Sequence, residues 1–194
     1  GGCGTSTAAL GAGGYPVPAR GADTEEWNGS AWSETANLGT SRYGCHSAGT
    51  QTAALCITGH TYPGSETADV EQYDGSSWSQ IADVNTSRRQ HAAAGTSTAA
   101  LAIGGNNGGS VSDAVESWNG TAWTETHEIN TARDALGGDG TSTLALVWGG
   151  TSPARDETEV YDGSSWTESG DLNSGRWGTS GGGTTSSAVT AGGF

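Results

Sequence analysis

Four glutamates and four arginines recur at one fixed distance and form the most regular charged pattern of the chain. Each arginine follows a glutamate by seventeen residues, in the order Glu25 and Arg42, Glu71 and Arg88, Glu116 and Arg133, Glu159 and Arg176. A carboxylate and a guanidinium at constant spacing predict ion pairs within or between repeats, which fix register although desolvation offsets their attraction. The alternative chemistry is a ring of the four guanidinium groups that binds an anion.

The cysteines and histidines show no spacing typical of a metal site. Cys45 and Cys56 flank a short GTQT turn, so on a hairpin they are near cross-strand neighbours, either as a disulfide or as two buried thiols. Cys3 has no evident partner. His46 follows Cys45 directly, but neither a C-x-x-C nor an H-x-x-x-H pattern is present. We therefore predict no metal site and no cofactor.

Catalytic chemistry is equally unsupported by residue spacing. The four histidines occupy different positions relative to the repeat. No nucleophile and base, and no pair of catalytic carboxylates, stands out. We predict that the protein is not an enzyme. The alternative is a carbohydrate-active enzyme that uses acidic residues with His60 or His127 as acid and base.

The glutamates and arginines are the ends of an eighteen-residue frame that occurs four times. Each copy contains an aromatic residue, Asn-Gly or Asp-Gly, a Trp and an aliphatic residue in the same order. A second segment, GTSTAAL or a variant, recurs with it, which makes the repeat 43 to 46 residues long. We place the repeats at about 4–48, 49–94, 95–139 and 140–182, with a partial copy at 183–194, in one domain covering residues 1–194.

Each repeat is predicted to form four strands, a to d, with almost no helix. The chain holds 34 glycines and 8 tryptophans, a mixture that suits short strands and tight turns. In the third repeat, strand a begins at Arg88 and runs to residue 94, strand b covers 99–103, strand c lies around 116–118 and strand d carries Trp123. The Asn-Gly and Asp-Gly turns between c and d predict positive φ at both turn residues.

These motifs resemble the Kelch repeat over the whole chain. The strands that end in glycine read LGAGG, CITG, AIGG, VWGG and TAGG, and the aromatic turns read WNGSAW, YDGSSW, WNGTAW and YDGSSW. One repeat departs from the pattern, with Thr58 before Gly59. The resemblance implies a β-propeller of four-stranded blades around a channel. It implies no activity, because Kelch propellers serve as binding platforms, scaffolds and occasionally enzyme domains.

The predicted fold is therefore all-β, a small Kelch-like β-propeller of four blades with four antiparallel strands each. Residues 176–182 are predicted to supply strand a of the first blade, which leaves a spare fifth b strand at 186–193. A tryptophan of strand d packs between neighbouring blades; the four are Trp32, Trp78, Trp123 and Trp166. We expect a monomeric ring, and the alternative is self-association through its seam.

All length variation between repeats falls in the loop between strands b and c, where we expect the binding residues. In an up-and-down blade these loops emerge on the same face as the connections from d to a, and loops on a rigid scaffold commonly carry function. The candidates are Tyr15, Arg20, His60, Tyr62, Asn106, Asn107 and Arg155, with Tyr43, Arg89, Asp134 and Trp177, which follow the four arginines. The alternative is that the sequences of these surface loops vary because no function constrains them.

The net charge of −14, with no lysine, argues against binding of nucleic acid, which requires clustered positive charge. No apolar run is long enough to insert in a membrane. We predict a non-catalytic binding or structural module that presents its variable loops to a glycan or protein surface. The GTSTAAL segments are similar to Kelch-like arrays of phage structural and bacterial extracellular proteins. This similarity implies an extracellular or virion-associated location. A purely structural spacer in a virion fibre is the alternative.

Overall fold

The computed structural model describes residues 1–15, 21–61, 63–151 and 153–194. Across these residues the chain forms eighteen strands and no helix, so it has no helical segment able to cross a membrane. The strands are β1 (Gly2–Thr5), β2 (Ala8–Gly14), β3 (Gly21–Trp27), β4 (Trp32–Glu34), β5 (His46–Thr50), β6 (Ala53–His60), β7 (Glu66–Tyr73), β8 (Trp78–Gln80), β9 (Ala92–Thr96), β10 (Ala99–Ile103), β11 (Val115–Trp118), β12 (Trp123–Glu125), β13 (Gly137–Thr141), β14 (Leu144–Trp148), β15 (Thr158–Tyr161), β16 (Trp166–Glu168), β17 (Ser180–Thr184) and β18 (Ser187–Ala191).

The described strands build an all-β, four-bladed β-propeller with a spare pair of strands. Blade one is β1–β4, blade two β5–β8, blade three β9–β12 and blade four β13–β16, and each is an antiparallel sheet with its strands in chain order. Strands β17 and β18 form a separate two-stranded sheet, which we call the last hairpin. The a strands β1, β5, β9, β13 and β17 lie side by side along the chain order.

Blade one contains its own strand a, so the prediction that residues 176–182 supply it is wrong. β1 pairs with β2, with Gly2 opposite Gly11 and Thr5 opposite Ala8. At the other end β17 pairs with β18, so the spare element is a hairpin and not a single strand. The reason is local: a hairpin closed by a two-residue turn costs less chain entropy than joining strands from opposite ends of the chain.

Strand a begins later than the sequence pattern suggests. In the third repeat β9 begins at Ala92, four residues after Arg88, and the same interval separates Arg42 from β5. The prediction that the arginine opens strand a is therefore wrong. Arg42, Arg88 and Arg133 each lie in the connection between blades, where the side chain is buried against the next blade; Arg176, before β17, is partly exposed.

The turn between strands c and d also differs from the predicted two-residue turn. In blade two, Tyr73 pairs with Trp78 and the four residues between them form the loop. Gly75 has a φ of 94°, whereas Asp74 is not among the residues with positive φ. The Asp74 carboxylate accepts hydrogen bonds at 2.8 Å from the main-chain nitrogens of Ser76 and Ser77. The side chain thus holds the loop, and only the glycine requires the left-handed conformation.

These turns predict a specific loss of stability in acid. The Ser76 hydroxyl, followed by the amides of Ser77 and Ser76, holds the pKa of Asp74 at about 2, below its ordinary value of 3.8, and Asp162 behaves alike. Because the folded-state pKa is depressed, the stabilisation is present above about pH 4 and is lost as pH falls towards 2. We expect the Asp74→Asn/Asp162→Asn protein to lose less stability than wild type over this interval in urea unfolding.

Blades one and three provide the internal precedent for those substitutions. Asn28 holds the equivalent loop by accepting hydrogen bonds at 3.0 Å from the amides of Ser30 and Ala31, and an asparagine does not titrate. Equal losses of stability in the double variant and the wild type would show that these carboxylates do not cause the destabilisation at low pH.

The hydrophobic core lies between neighbouring blades. Trp123 and Trp166 are each only 5% exposed, and each packs in a cluster formed with the preceding blade. Trp78 is partly buried and donates from its indole nitrogen to Thr24 of blade one at 3.0 Å. Trp32 is 52% exposed, because blade one has no preceding blade to cover it. The predicted position between blades is thus correct for three of the four tryptophans.

The repeat that departs from the glycine pattern has a polar contact in its place. Thr58 adopts a φ of 53°, close to the φ of 64° at the equivalent Gly104. Its hydroxyl lies 3.1 Å from Nδ1 of the buried His91 in the next blade. A threonine in this conformation is strained, and the contact with His91 offsets part of that strain.

Candidate functional site

The recurring glutamates and arginines form three buried ion pairs, one in each of blades two to four. Each arginine pairs with the glutamate of the following frame, not with the one seventeen residues before it. The distances are 2.5 Å between Arg88 and Glu116 and 2.8 Å between Arg133 and Glu159, and the third pair is Arg42 with Glu71. All six side chains are at most 4% exposed.

Each pair also fixes the connection that enters the blade, and we call the whole arrangement a Glu–Arg clasp. The Glu116 carboxylate accepts hydrogen bonds from the amides of Asn85 at 2.6 Å and Thr86 at 3.2 Å. Arg88 donates to the carbonyls of Ala114 at 2.9 Å and Gly104 at 3.2 Å. Burial lowers the pKa of Arg88, and the Glu116 carboxylate opposes that shift. The clasp therefore ties the path from one blade to strands b and c of the next.

The alternative of an anion-binding ring is wrong for Arg42, Arg88 and Arg133. Their side chains are at most 1% exposed, and their guanidinium groups already donate to carboxylates and carbonyls within a blade. An added anion would have to displace a partner from a buried site, which is costly.

The remaining glutamate and arginine of the series, Glu25 and Arg176, do not pair with each other. Arg176 is partly exposed and donates only weakly, to the carbonyls of Ser174 at 3.5 Å and Gly192 at 3.4 Å. Glu25 is exposed. Within the described chain neither forms an ion pair. The last hairpin after Arg176 has no strand c to supply a glutamate, and strand a of blade one has no arginine before it in this sequence.

The residue after each arginine lies beside the residue that follows strand b or ends it, on the face where the b–c loops emerge. We call this the loop face. Single antiparallel bridges join Tyr43 with His60, Arg89 with Asn106 and Asp134 with Thr151. Trp177 and Phe194 exchange main-chain hydrogen bonds of 3.1 and 3.0 Å. The backbone thus holds two variable side chains next to each other at each of these places.

Three aromatic rings meet on the loop face between blades one and two. The ring of Tyr15 lies edge-on to Tyr43, with centroids 5.2 Å apart, and Tyr43 lies 5.0 Å from His60. Tyr15 is 64% exposed, and Tyr43 and His60 are half-buried. We call these three residues the aromatic cluster; its rings offer an apolar surface edged by polar atoms.

A group of polar side chains continues the loop face over blades two to four. Arg89 forms an ion pair with Glu66 at 2.8 Å. Asn106 donates to the Asp134 carboxylate at 3.0 Å, and the Thr151 hydroxyl donates to the same carboxylate. We call these five residues the polar cluster. The amide of Gln90, next to Arg89, donates to the carbonyl of Gly44, next to Tyr43, at 2.8 Å, so the two clusters adjoin.

The other predicted binding residues lie outside both clusters. Asn107 is exposed, and its side-chain oxygen accepts hydrogen bonds from Gly109 at 3.1 Å and Ser110 at 3.0 Å; it therefore shapes its own loop. Arg155 pairs with Glu157 at 2.8 Å. The ring of Trp177 is tilted by 32° against that of Phe194, with centroids 5.0 Å apart, beside the last hairpin. Arg20 and Tyr62 fall outside the described residues.

The thiols and imidazoles lie on or next to strands a and b of blades one to three, where Cys45 and His46 line a cavity between the a strands. Cys3, Cys45 and Cys56 are free thiols, so of the two alternatives for Cys45 and Cys56 the structure shows the thiol form. His46 lies 5.3 Å from His91, ring to ring, and burial lowers the pKa of His46 to about 4. Among the residues that the structure covers, no three His, Cys, Asp or Glu side chains are placed to hold a metal ion.

Three members of the loop face were missed by sequence reasoning. Thr151 and Phe194 occupy the position that follows the two glycines ending strand b, as Asn106 does, so aligning that position across repeats identifies them. Glu66 begins β7 directly after a loop without a counterpart of equal length, and no repeat signal marks it.

Comparison with protein families and with curated proteins gives no match from which a function could be inferred. No protein-family model matches the chain, and no curated protein matches it. The functional interpretation therefore rests on which side chains the fold brings together.

Proposed function

We propose that the protein is a non-catalytic binding module of the Kelch-repeat type whose loop face takes a neutral glycan. The observation that carries the proposal is the aromatic cluster, where the exposed ring of Tyr15 stands against Tyr43 and His60. An aromatic face with polar atoms at its edge suits a sugar ring, which is apolar on one face and hydroxylated at its rim.

The adjoining polar cluster supplies the hydrogen-bonding groups that such a ligand needs. Arg89 and Asn106 provide donors, and their contacts with Glu66 and with the buried Asp134 carboxylate fix their orientation. Arg89 and Asn106 are partly exposed. The cluster holds one positive and two negative side chains, so its formal charge at pH 7 is −1.

Charge favours a neutral glycan over an acidic one. The chain has a net charge of −14 at pH 7, and its field repels polyanions at long range. The protein-binding alternative predicts a partner that covers more of the loop face than the aromatic cluster alone, because stable protein interfaces bury about 800 Å² on each side.

Kelch membership is part of the proposal. The Gly-Gly and aromatic-turn motifs support it, together with the four-stranded blades in which they lie. The non-catalytic assignment is supported by the use of Glu71, Glu116 and Glu159 in clasps, which removes the most regular carboxylates from catalysis. The similarity of the GTSTAAL segments to phage structural and bacterial extracellular arrays supports an extracellular or virion-associated location.

The test is a neutral-glycan array followed by titration calorimetry on the best binder. We expect Tyr15→Ala to weaken binding at least about tenfold, equivalent to about 1.4 kcal/mol, because the ring is exposed to the ligand. Trp177→Ala is the matched control, since it removes another partly exposed aromatic ring from the loop face outside the aromatic cluster. Its affinity should stay within about twofold of wild type.

Three results would contradict the proposal. They are a wild-type protein that binds no neutral glycan, a Tyr15→Ala protein with unchanged affinity, and binding of a protein partner without any glycan. The first of these would favour a structural spacer. Release of sugar products during the titration would favour the enzyme alternative.

A further inference from the structure

The last hairpin lacks the neighbour that every other b strand has. In blades one to four the b strand pairs with strand a on one edge and strand c on the other. Strand β18 pairs with β17 alone, within the part of the chain that the structure covers. Val189 in this strand is 70% exposed, while Leu101, at the equivalent place in blade three, is fully buried. An open strand edge of this kind invites pairing with another strand.

Beside that edge lies an apolar groove with a volume of about 150 Å³. Leu146, Leu172 and Val189 line it. At the preceding junction Leu101 and Ile129, the counterparts of Leu146 and Leu172, pack around Trp166 in one buried cluster. The groove is therefore the empty equivalent of a site that holds the tryptophan of a strand d.

The clasp at this position is also half-formed. Arg176 precedes β17 as Arg133 precedes β13. Arg133 meets the Glu159 carboxylate at 2.8 Å, whereas Arg176 has only carbonyl partners within the described chain. The last hairpin thus lacks a carboxylate on a strand c and a tryptophan on a strand d.

Blade one carries both missing groups in exposed positions. Its c–d hairpin, β3–β4, contains Glu25 and Trp32, at the spacing of Glu159 and Trp166. Glu25 is exposed and Trp32 is 52% exposed. The two ends of the chain are therefore complementary in charge, in apolar surface and in strand type.

We propose that two copies of the chain associate head to tail by strand exchange. The hairpin β3–β4 of one copy leaves its own β2 and pairs with β18 of the other copy, which completes a blade. The main-chain hydrogen bonds between b and c strands are exchanged one for one. The gain is a Glu25 to Arg176 clasp and a buried Trp32, neither of which β1–β2 provides. Because donor and acceptor are different surfaces, the contact is heterologous and generates a ring or an open chain.

This association separates β2 from β3, and Tyr15 begins the segment between them, so it also changes the surroundings of the aromatic cluster. Association is measured without glycan, and glycan binding at a concentration where the protein is monomeric, so each proposal can fail without the other. The association is tested by sedimentation velocity with charge reversal at the two ends. We expect wild type to associate with rising concentration, and Arg176→Glu and Glu25→Arg each to weaken association at least about tenfold. An equimolar mixture of the two variants restores it, because each end of one variant then meets an opposite charge on the other.

Glu125→Arg is the matched control, since it makes the same charge change on the exposed end of a complete blade. It should associate like wild type. The proposal is overturned by a wild type that stays monomeric up to its solubility limit, or by association that neither single reversal weakens. The protein could instead be a monomer that each single reversal destabilises and the double variant, with both reversals, restabilises. That result would show exchange within one chain rather than between two copies.

Discussion

Glu116→Gln is expected to lower the free energy of unfolding by about 3–5 kcal/mol, because it leaves the Arg88 guanidinium buried without a counter-charge. The carboxylate is 0% exposed and accepts from Arg88 and from the amides of Asn85 and Thr86. The amide that replaces it retains an acceptor oxygen but places a donor against at least one of these donors. Urea unfolding followed by tryptophan fluorescence measures the loss.

The chain offers its own control in Glu25→Gln. This residue occupies the same place in the frame but is exposed and lacks an ion pair in the structure as described. Measured at a concentration where the protein is monomeric, the change should cost no more than about 0.5 kcal/mol. Equal losses at Glu116 and Glu25 would mean that the frame position, and not the buried pair, determines stability.

The second large effect is expected from Trp123→Ala, which should cost about 3–5 kcal/mol by emptying the space between blades two and three. The indole packs with Leu55, Ile57 and Val70 of the preceding blade. Its ring nitrogen has no hydrogen-bond partner within the described residues, so the loss comes from packing alone. Urea unfolding under the same conditions measures it.

Trp32→Ala is the matched substitution at the open end of the propeller. More than half of that side chain is already in contact with water, and we expect a loss of less than about 1 kcal/mol in the monomer. If Trp32→Ala destabilises the monomer as much as Trp123→Ala, the first blade must be covered by another part of the molecule.

Much of the fold could be predicted because the repeats obey the same physical requirements. The repeated segments with Gly-Gly ends and Asn-Gly or Asp-Gly turns specify four short strands per blade. The fixed place of tryptophan specifies packing between blades, correctly for Trp78, Trp123 and Trp166. The sequence does not distinguish Trp32 from these three, since its exposure depends on the absence of a neighbouring blade and not on its own surroundings in the chain.

The partners within the clasps also could not be predicted from the sequence alone. A constant distance between Glu and Arg predicts that they pair, but each arginine reaches forward to the glutamate of the next frame. That choice depends on the three-dimensional path from strand d to strand a, which places Arg88 beside β11. It also explains why one glutamate at the start and one arginine at the end are left over.

The candidate site was predictable where repeat positions could be compared. Tyr43 and His60 belong to two such positions, and the bridge between them recurs as Arg89 with Asn106. The contact of Arg89 with Glu66 depends on a loop of individual length, so spacing gives no indication of it. Burial, rather than residue type, separates the arginines of the clasps from Arg89.

Amide hydrogen exchange with and without the best neutral glycan tests the central claim most directly. The claim is that the frame common to all repeats is scaffold and that the loop face binds. It predicts slower exchange on binding at Tyr43, His60 and Arg89, with no change in the c–d turns at the opposite ends of the blades. Protection confined to those turns, or to strands β3, β4 and β18 at the blade edges, would contradict it.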